Sequence, residues 1–235
     1  MSQGNAANTD SPLLSDEALL DWIEESAEVF AAVAANATPT TPIPACEGWT
    51  MADLLTHVAP WYSGWYPYNL QHPADDGDLM AAAMSSPPMP DDHAERIAYL
   101  RDACAGFTAL ARQVDLDAPV WAFWTAQPAR FWVKRAATEL AIHTWDAQDA
   151  TGDPDRIDPD RAAASIDESL RGLWPGLVAI GHHGLFPDGG PAVPDTPAGF
   201  LATDTGNQWR VDPTSDGPEV SGGDLPAWWA GFQLA

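Results

Sequence analysis

The sequence predicts a mainly α-helical protein: a helical bundle over residues 1–181, followed by a small β-containing region over 182–235. Two observations predict it. Apolar residues recur at helical spacing through five long segments, each bounded by proline, glycine or a capping residue. After Gly181 that periodicity gives way to clustered proline and glycine, with a hairpin pattern around Gly206-Asn207.

The elements follow in order. Leu13 to Ala37 reads as the first helix, capped by Ser15, with Leu19, Trp22, Ile23, Phe30 and Val33 as its apolar stripe. Thr38 to Trp49 holds three prolines and a glycine, and reads as a connecting loop. Thr50 opens the second helix, over 50–59, with its hydroxyl placed to accept the amide of Asp53. Leu54, Leu55 and Val58 face inward, and Pro60 kinks or ends the helix. An aromatic run follows: Trp61, Tyr62, Trp65, Tyr66 and Tyr68. Residues 71–90 read as a long loop. The third helix, Asp91 to Val114, buries Ile97, Leu100, Cys104, Phe107 and Leu110. The fourth spans 128–151 and is closed by Gly152 and Pro154. The fifth runs from Pro159 to Leu173 and on past Pro175 to Ile180.

Composition excludes several function classes. A chain of 235 residues makes one large domain or two small ones, and 46% hydrophobic residues supply a substantial core. The net charge of −24 repels phosphate backbones and anionic headgroups, so nucleic acid and membrane surfaces are excluded as partners. The two cysteines, Cys46 and Cys104, read as reduced thiols rather than a disulfide framework. The polar segment Met1 to Asp10 has no signal-peptide pattern, and no run is apolar enough to span a bilayer. These features predict a cytoplasmic protein, monomeric or homodimeric.

The chemistry concentrates between Arg135 and Asp146. On a helix, Arg135, Glu139, His143 and Asp146 share one face, because steps of four, four and three return to the same side. Glu139 and His143 can ligate one metal ion from adjacent turns, with His57 of the second helix as third ligand. A Glu-x-x-x-His pair also arises by chance as an exposed ion pair. Here the flanks Ala136, Ala137, Leu140, Ala141 and Ile142 are apolar, so the pair is buried and needs partners. Asp146 either orients a metal-bound water or an imidazole, or pairs with Arg135. Arg135 either forms an ion pair or contacts an anionic substrate. Trp61, Trp65 and Trp124 line a substrate pocket or belong to the core. Cys46, beside the acidic Glu47, reads as packing rather than as a nucleophile. His182 and His183, between glycines, read as solvated.

Two motifs carry a family resemblance. Ala45-Cys-Glu-Gly-Trp-Thr-Met-Ala-Asp-Leu-Leu-Thr-His57 resembles the Cys-Pro-Gly-Trp-Thr-x-x-Asp-Leu-x-x-His signature of the mycothiol-dependent maleylpyruvate isomerase family. The stretch from Arg135 to Asp146 resembles that family's Arg-x-x-x-Glu-x-x-x-His-x-x-Asp signature. The resemblance covers roughly residues 13–180. It implies a DinB-like up-down four-helix bundle with a small α/β C-terminal region. It also implies a divalent cation, commonly zinc, on His57, Glu139 and His143, and mycothiol as thiol cosubstrate. The implied activity is a thiol-dependent isomerisation or S-transfer on a small electrophile. Two alternatives stand beside it: a thiol-independent metalloenzyme (hydrolase or lyase), and a non-catalytic binder of apolar small molecules. Glu47 replaces the family's proline, and Leu225 to Ala235 lacks the arginine with which family members commonly end. Both departures point away from maleylpyruvate itself and toward a larger, more apolar electrophile.

Overall fold

The computed structural model describes residues 13–75, 77–123, 125–182, 191–193, 195–215 and 217–222. The chain divides into two compact units, Asp16–Ile157 and Asp158–Ala235 with Met1–Ser15. The larger unit is built on long helices. Helix α1 (Asp16–Asn36) packs against α5 (His93–Ala111) and α6 (Arg130–Thr151), and α2 (Met51–Pro60) packs against the same two. Between them lie Leu20, Ile23 and Phe30 of α1, Leu54, Leu55 and Val58 of α2, Leu100 and Phe107 of α5, and Trp132 and Leu140 of α6. Each is fully buried, which stabilises the fold by about 1.5–3 kcal/mol per large side chain.

Local chemistry sets the helix ends. The Thr50 hydroxyl accepts the Asp53 amide at 3.3 Å, and Asp53 Oδ2 accepts the Thr50 amide at 2.9 Å, a reciprocal cap that starts α2. Asp92 caps α5 by accepting the Glu95 amide. Gly152, at φ +83°, ends α6 in the left-handed conformation that glycine adopts without a Cβ clash.

Three features of this unit differ from the sequence expectation. Pro60 ends α2, within the expectation of a kink or an end, but helical structure does not stop there. The chain continues through a π-helical turn (Trp61–Trp65) into α3 (Tyr66–Gln71), and the Tyr66 amide donates to the Trp61 carbonyl across the wider turn. Within the expected loop 71–90, Asp78 caps a short helix, α4 (Leu79–Ala83). Ahead of α6 stands an antiparallel hairpin, β1 (Pro119–Ala122) and β2 (Thr125–Pro128), entered through Phe123 at φ +48°.

The smaller unit begins at Asp158, whose carboxylate caps α7 (Pro159–Glu168) with Pro159 at its first turn. A second π-helical turn (Ser169–Leu173) leads into α8 (Trp174–His182). The antiparallel sheet β3 (Ala198–Leu201), β4 (Gln208–Thr214) and β5 (Gly217–Gly222) follows in that order. The β3–β4 connection turns at Gly206, φ +78°, where the Ala202 amide donates to the Asn207 carbonyl at 2.9 Å. Ala163, Leu170, Trp209 and Val211 form this unit's core, and the Trp209 indole donates to Asp167 at 2.9 Å. The helices that follow Asp158 thus bury their apolar side chains against the sheet. The units divide at Asp158 accordingly. Among the described residues no helix is long and apolar enough to cross a membrane. Trp124, His183, Met1 to Asp10 and Leu225 to Ala235 lie outside the described residues.

Candidate metal centre

Two packed helices supply the site. Glu139 and His143 stand one turn apart on α6, and His57 faces them from the last turn of α2. The fully buried Tyr62 donates its hydroxyl to the Ala136 carbonyl at 2.5 Å, which ties the turn after α2 to α6 just above Glu139. His57 Nε2 lies 3.3 Å from Glu139 Oε1, and His143 Nε2 lies 3.2 Å from the same oxygen. Across the set, the candidate donor atoms lie within 4.8 Å of one another. Two donors about 2.0–2.1 Å from one cation, at a tetrahedral angle, stand roughly 3.3 Å apart. The two His–Glu separations fit that spacing. The donor set fits as well: two imidazoles and one carboxylate suit zinc or a similar divalent ion and leave a fourth position open.

The surrounding residues fix each donor. His143 Nδ1 lies 2.8 Å from Asp146 Oδ2, so the carboxylate holds the ring with Nε2 turned toward Glu139. Arg135 donates to Glu139 Oε2 at 2.7 Å, leaving Oε1 for the imidazoles. Asp146 thus contacts the His143 ring, and Arg135 the Glu139 carboxylate. Burial alone would raise the Glu139 pKa. Hydrogen bonds from His143 and His57 and the Arg135 charge outweigh it and hold the carboxyl well below the usual range. Burial alone would lower His143. With no cation bound, hydrogen bonds to Asp146 and Glu139 outweigh it and raise the ring to about 9. A proton and a metal ion would compete there for the same electron pairs.

Aromatic rings wall the centre. The Trp49 ring stands 5.0 Å and the Trp61 ring 6.0 Å from that of His57, both edge-on. Trp61 Nε1 is buried with no hydrogen-bond partner among the described residues. Trp65 is itself buried, 5.3 Å from Trp61 and 6.1 Å from Trp132, and packs into the core behind the wall. Trp124 lies outside the described residues. Sequence reasoning missed Trp49, which sits in the loop ahead of α2; its place in the Gly48-Trp49-Thr50 motif was the available signal.

Cys46, Cys104, His72 and His93 do not belong to this donor set. Burial, with a contribution from the Asp146 charge, pushes the Cys46 thiol up, and burial does the same to Cys104. Neither is poised as a nucleophile. His72 stacks on Tyr68 at 3.7 Å, and His93 bonds the Ala34 carbonyl at 3.0 Å, so both serve the fold.

No curated protein matches the chain. The chain superposes on the crystal structure of a histidine-to-alanine mutant of a mycothiol-dependent maleylpyruvate isomerase, with a TM-score of 0.51 and 17% identity. The match covers 91% of this chain and 95% of that one, and at this identity it is a likeness of fold. The family model described as "Mycothiol maleylpyruvate isomerase N-terminal domain" matches residues 19–148, a span that contains His57, Glu139 and His143. The chain therefore belongs to the mycothiol maleylpyruvate isomerase N-terminal domain family.

Proposed function

We propose that the protein is a metal-dependent enzyme of thiol chemistry: a mycothiol-dependent isomerase or S-transferase acting on a small electrophile. The observation that carries this reading is the approach of His57 and His143 to one oxygen of Glu139, at 3.3 and 3.2 Å, in a member of this family. His57, Glu139 and His143 would hold the cation, zinc being the first candidate. A divalent ion there supplies Lewis acidity, favouring the ionised form of a thiol at its open position.

The chain's own residues do the rest. Asp146 keeps His143 in one tautomer, and Arg135 keeps Glu139 anionic and oriented. Trp49 and Trp61 flank His57 and offer an apolar wall to the electrophile. Addition of the thiol sulfur across a carbon–carbon double bond lets that bond rotate. Expulsion of the same thiol then gives isomerisation, and retention gives S-transfer. Such work fits the cytoplasm, where low-molecular-weight thiols stay reduced. We further read α1, α2, α5 and α6 as the DinB-like up-down bundle that carries the site.

The test is a screen of electrophilic alkenes, maleylpyruvate among them, against zinc-loaded protein with and without mycothiol. Turnover that requires both zinc and mycothiol supports the proposal. Turnover without any thiol replaces it with a metal-dependent hydrolase or lyase. Tight ligand binding without product, insensitive to a chelator, replaces it with a binding protein.

A further inference from the structure

The π-helical turn Trp61–Trp65 stands between the candidate ligand His57 and the buried Trp65 and Tyr66. It inserts an extra residue into the helical register after Trp61, so Trp61 stands one turn on from His57 while Trp65 and Tyr66 are carried into the core. The turn is intrinsically weak. Pro60 has no amide to donate to the preceding turn, and π-helical hydrogen bonding is seldom stable unaided.

Outside contacts hold it. The Ser86 hydroxyl donates to the Pro60 carbonyl at 2.7 Å. Gly64 lets the Ser86 backbone come so close that a Cβ would lie 2.4–2.5 Å from Ser86 N, Oγ and Cα. Such an approach is closed to any other residue. The Tyr99 hydroxyl lies 2.6 Å from Ser63 Oγ and 3.0 Å from the Pro87 carbonyl, which braces the turn and the 85–87 segment on α5 together. Meanwhile the Trp61 indole N–H is buried with no hydrogen-bond partner among the described residues. No directional bond of its own anchors that ring; its place follows from the turn.

We propose that Ser86 and Gly64 are positioning residues of the metal centre, whose mutual contact pins the π-helical turn that sets Trp61 against His57. The consequence for the cation rests on the function proposed above; the placement of Trp61 does not.

The test uses the full chain, labelled with nitrogen-15 and metal-free, with the Trp61 indole resonance assigned by its absence from Trp61→Phe. Ser86→Ala is expected to displace and broaden that resonance. It is also expected to weaken Co2+ binding by about tenfold, the scale of one lost buried hydrogen bond. Ser85→Ala is the control, because its hydroxyl bonds the Ala82 carbonyl on the same segment at 2.6 Å. It should leave the Trp61 resonance in place. Gly64→Ala should displace the resonance as Ser86→Ala does, and if it does not fold, Ser86→Ala decides alone. An unmoved Trp61 resonance in Ser86→Ala overturns the proposal, as does the same displacement in Ser85→Ala. Failure of the wild-type protein to take up Co2+ would remove the metal reading, and the indole resonance would still decide the positioning.

Discussion

One oxygen of Glu139 faces two imidazoles while the other is held by Arg135, and this division sets what each neighbour contributes. His57→Ala and His143→Ala should each abolish stoichiometric zinc binding, read by elemental analysis of the dialysed protein. Asp146→Asn keeps the shape but weakens the partner of His143 Nδ1. It should lower zinc affinity by about 10–100-fold in a competition titration, with the fold intact by circular dichroism. Arg135→Met removes the charged hydrogen bond to Glu139 Oε2 and leaves the His143 ring as the cationic partner of that carboxylate. It should destabilise the metal-free protein by roughly 1.5–3 kcal/mol in denaturant unfolding. The convergence of His57, Glu139 and His143 was legible in the sequence: helical spacing on an apolar segment left Glu139 and His143 in need of partners, and the two family motifs pointed to His57 beside them. The contacts of Asp146 and Arg135 were not, since four residues on one helix face leave open which side chain meets which. Trp49 was hidden because loop residues carry no periodicity.

Contacts between elements hold the ligand-bearing helices in place. Tyr62→Phe removes the bond from the π-helical turn to the Ala136 carbonyl of α6 and should cost about 1 kcal/mol of stability, measured by denaturant unfolding. At the C-terminal end of α5, Arg112 donates to Glu17, Asp21 and Glu24 of α1. Hydrogen bonds from Arg112 and Thr108 hold the Glu24 carboxyl below its ordinary value. A depressed folded pKa stabilises above the unfolded value of 4.5, and the gain is lost as pH falls through the folded value. Arg112→Ala should therefore lower Tm by a few degrees at neutral pH, and the gap from wild type should narrow below about pH 4. Solvent exposure of these groups keeps the effect near or below about 1 kcal/mol. The long helices were legible from apolar spacing and caps. The π-helical turn was not, because Pro60 reads locally as a stop, and what carries the chain past it is Ser86, 26 residues away. The β1–β2 hairpin was equally hidden. Its turn runs through a phenylalanine at positive φ instead of the glycine or asparagine that marks such turns.

At the scale of the molecule, 34 acidic against 10 basic residues make self-repulsion a standing cost to compactness. Raising salt from about 10 mM to about 0.5 M shortens the screening length severalfold. Tm should accordingly rise by several degrees in a thermal scan of the metal-free protein, and a flat response would show that the charges lie too far apart to matter. A change in character is legible in the sequence after Gly181, and the structure divides at Asp158. The helical spacing of 159–180 does not reveal that α7 and the turn after it bury their apolar residues against a sheet still to come. All three candidate ligands lie within Asp16–Ile157, so the account stands on whether that unit holds a metal ion. The most direct measurement is titration of the metal-free protein with Co2+, followed by its visible absorption. The account predicts saturation at about one equivalent with intense tetrahedral bands, and their loss in His57→Ala. Weak octahedral bands without saturation, or bands unchanged by His57→Ala, would contradict it.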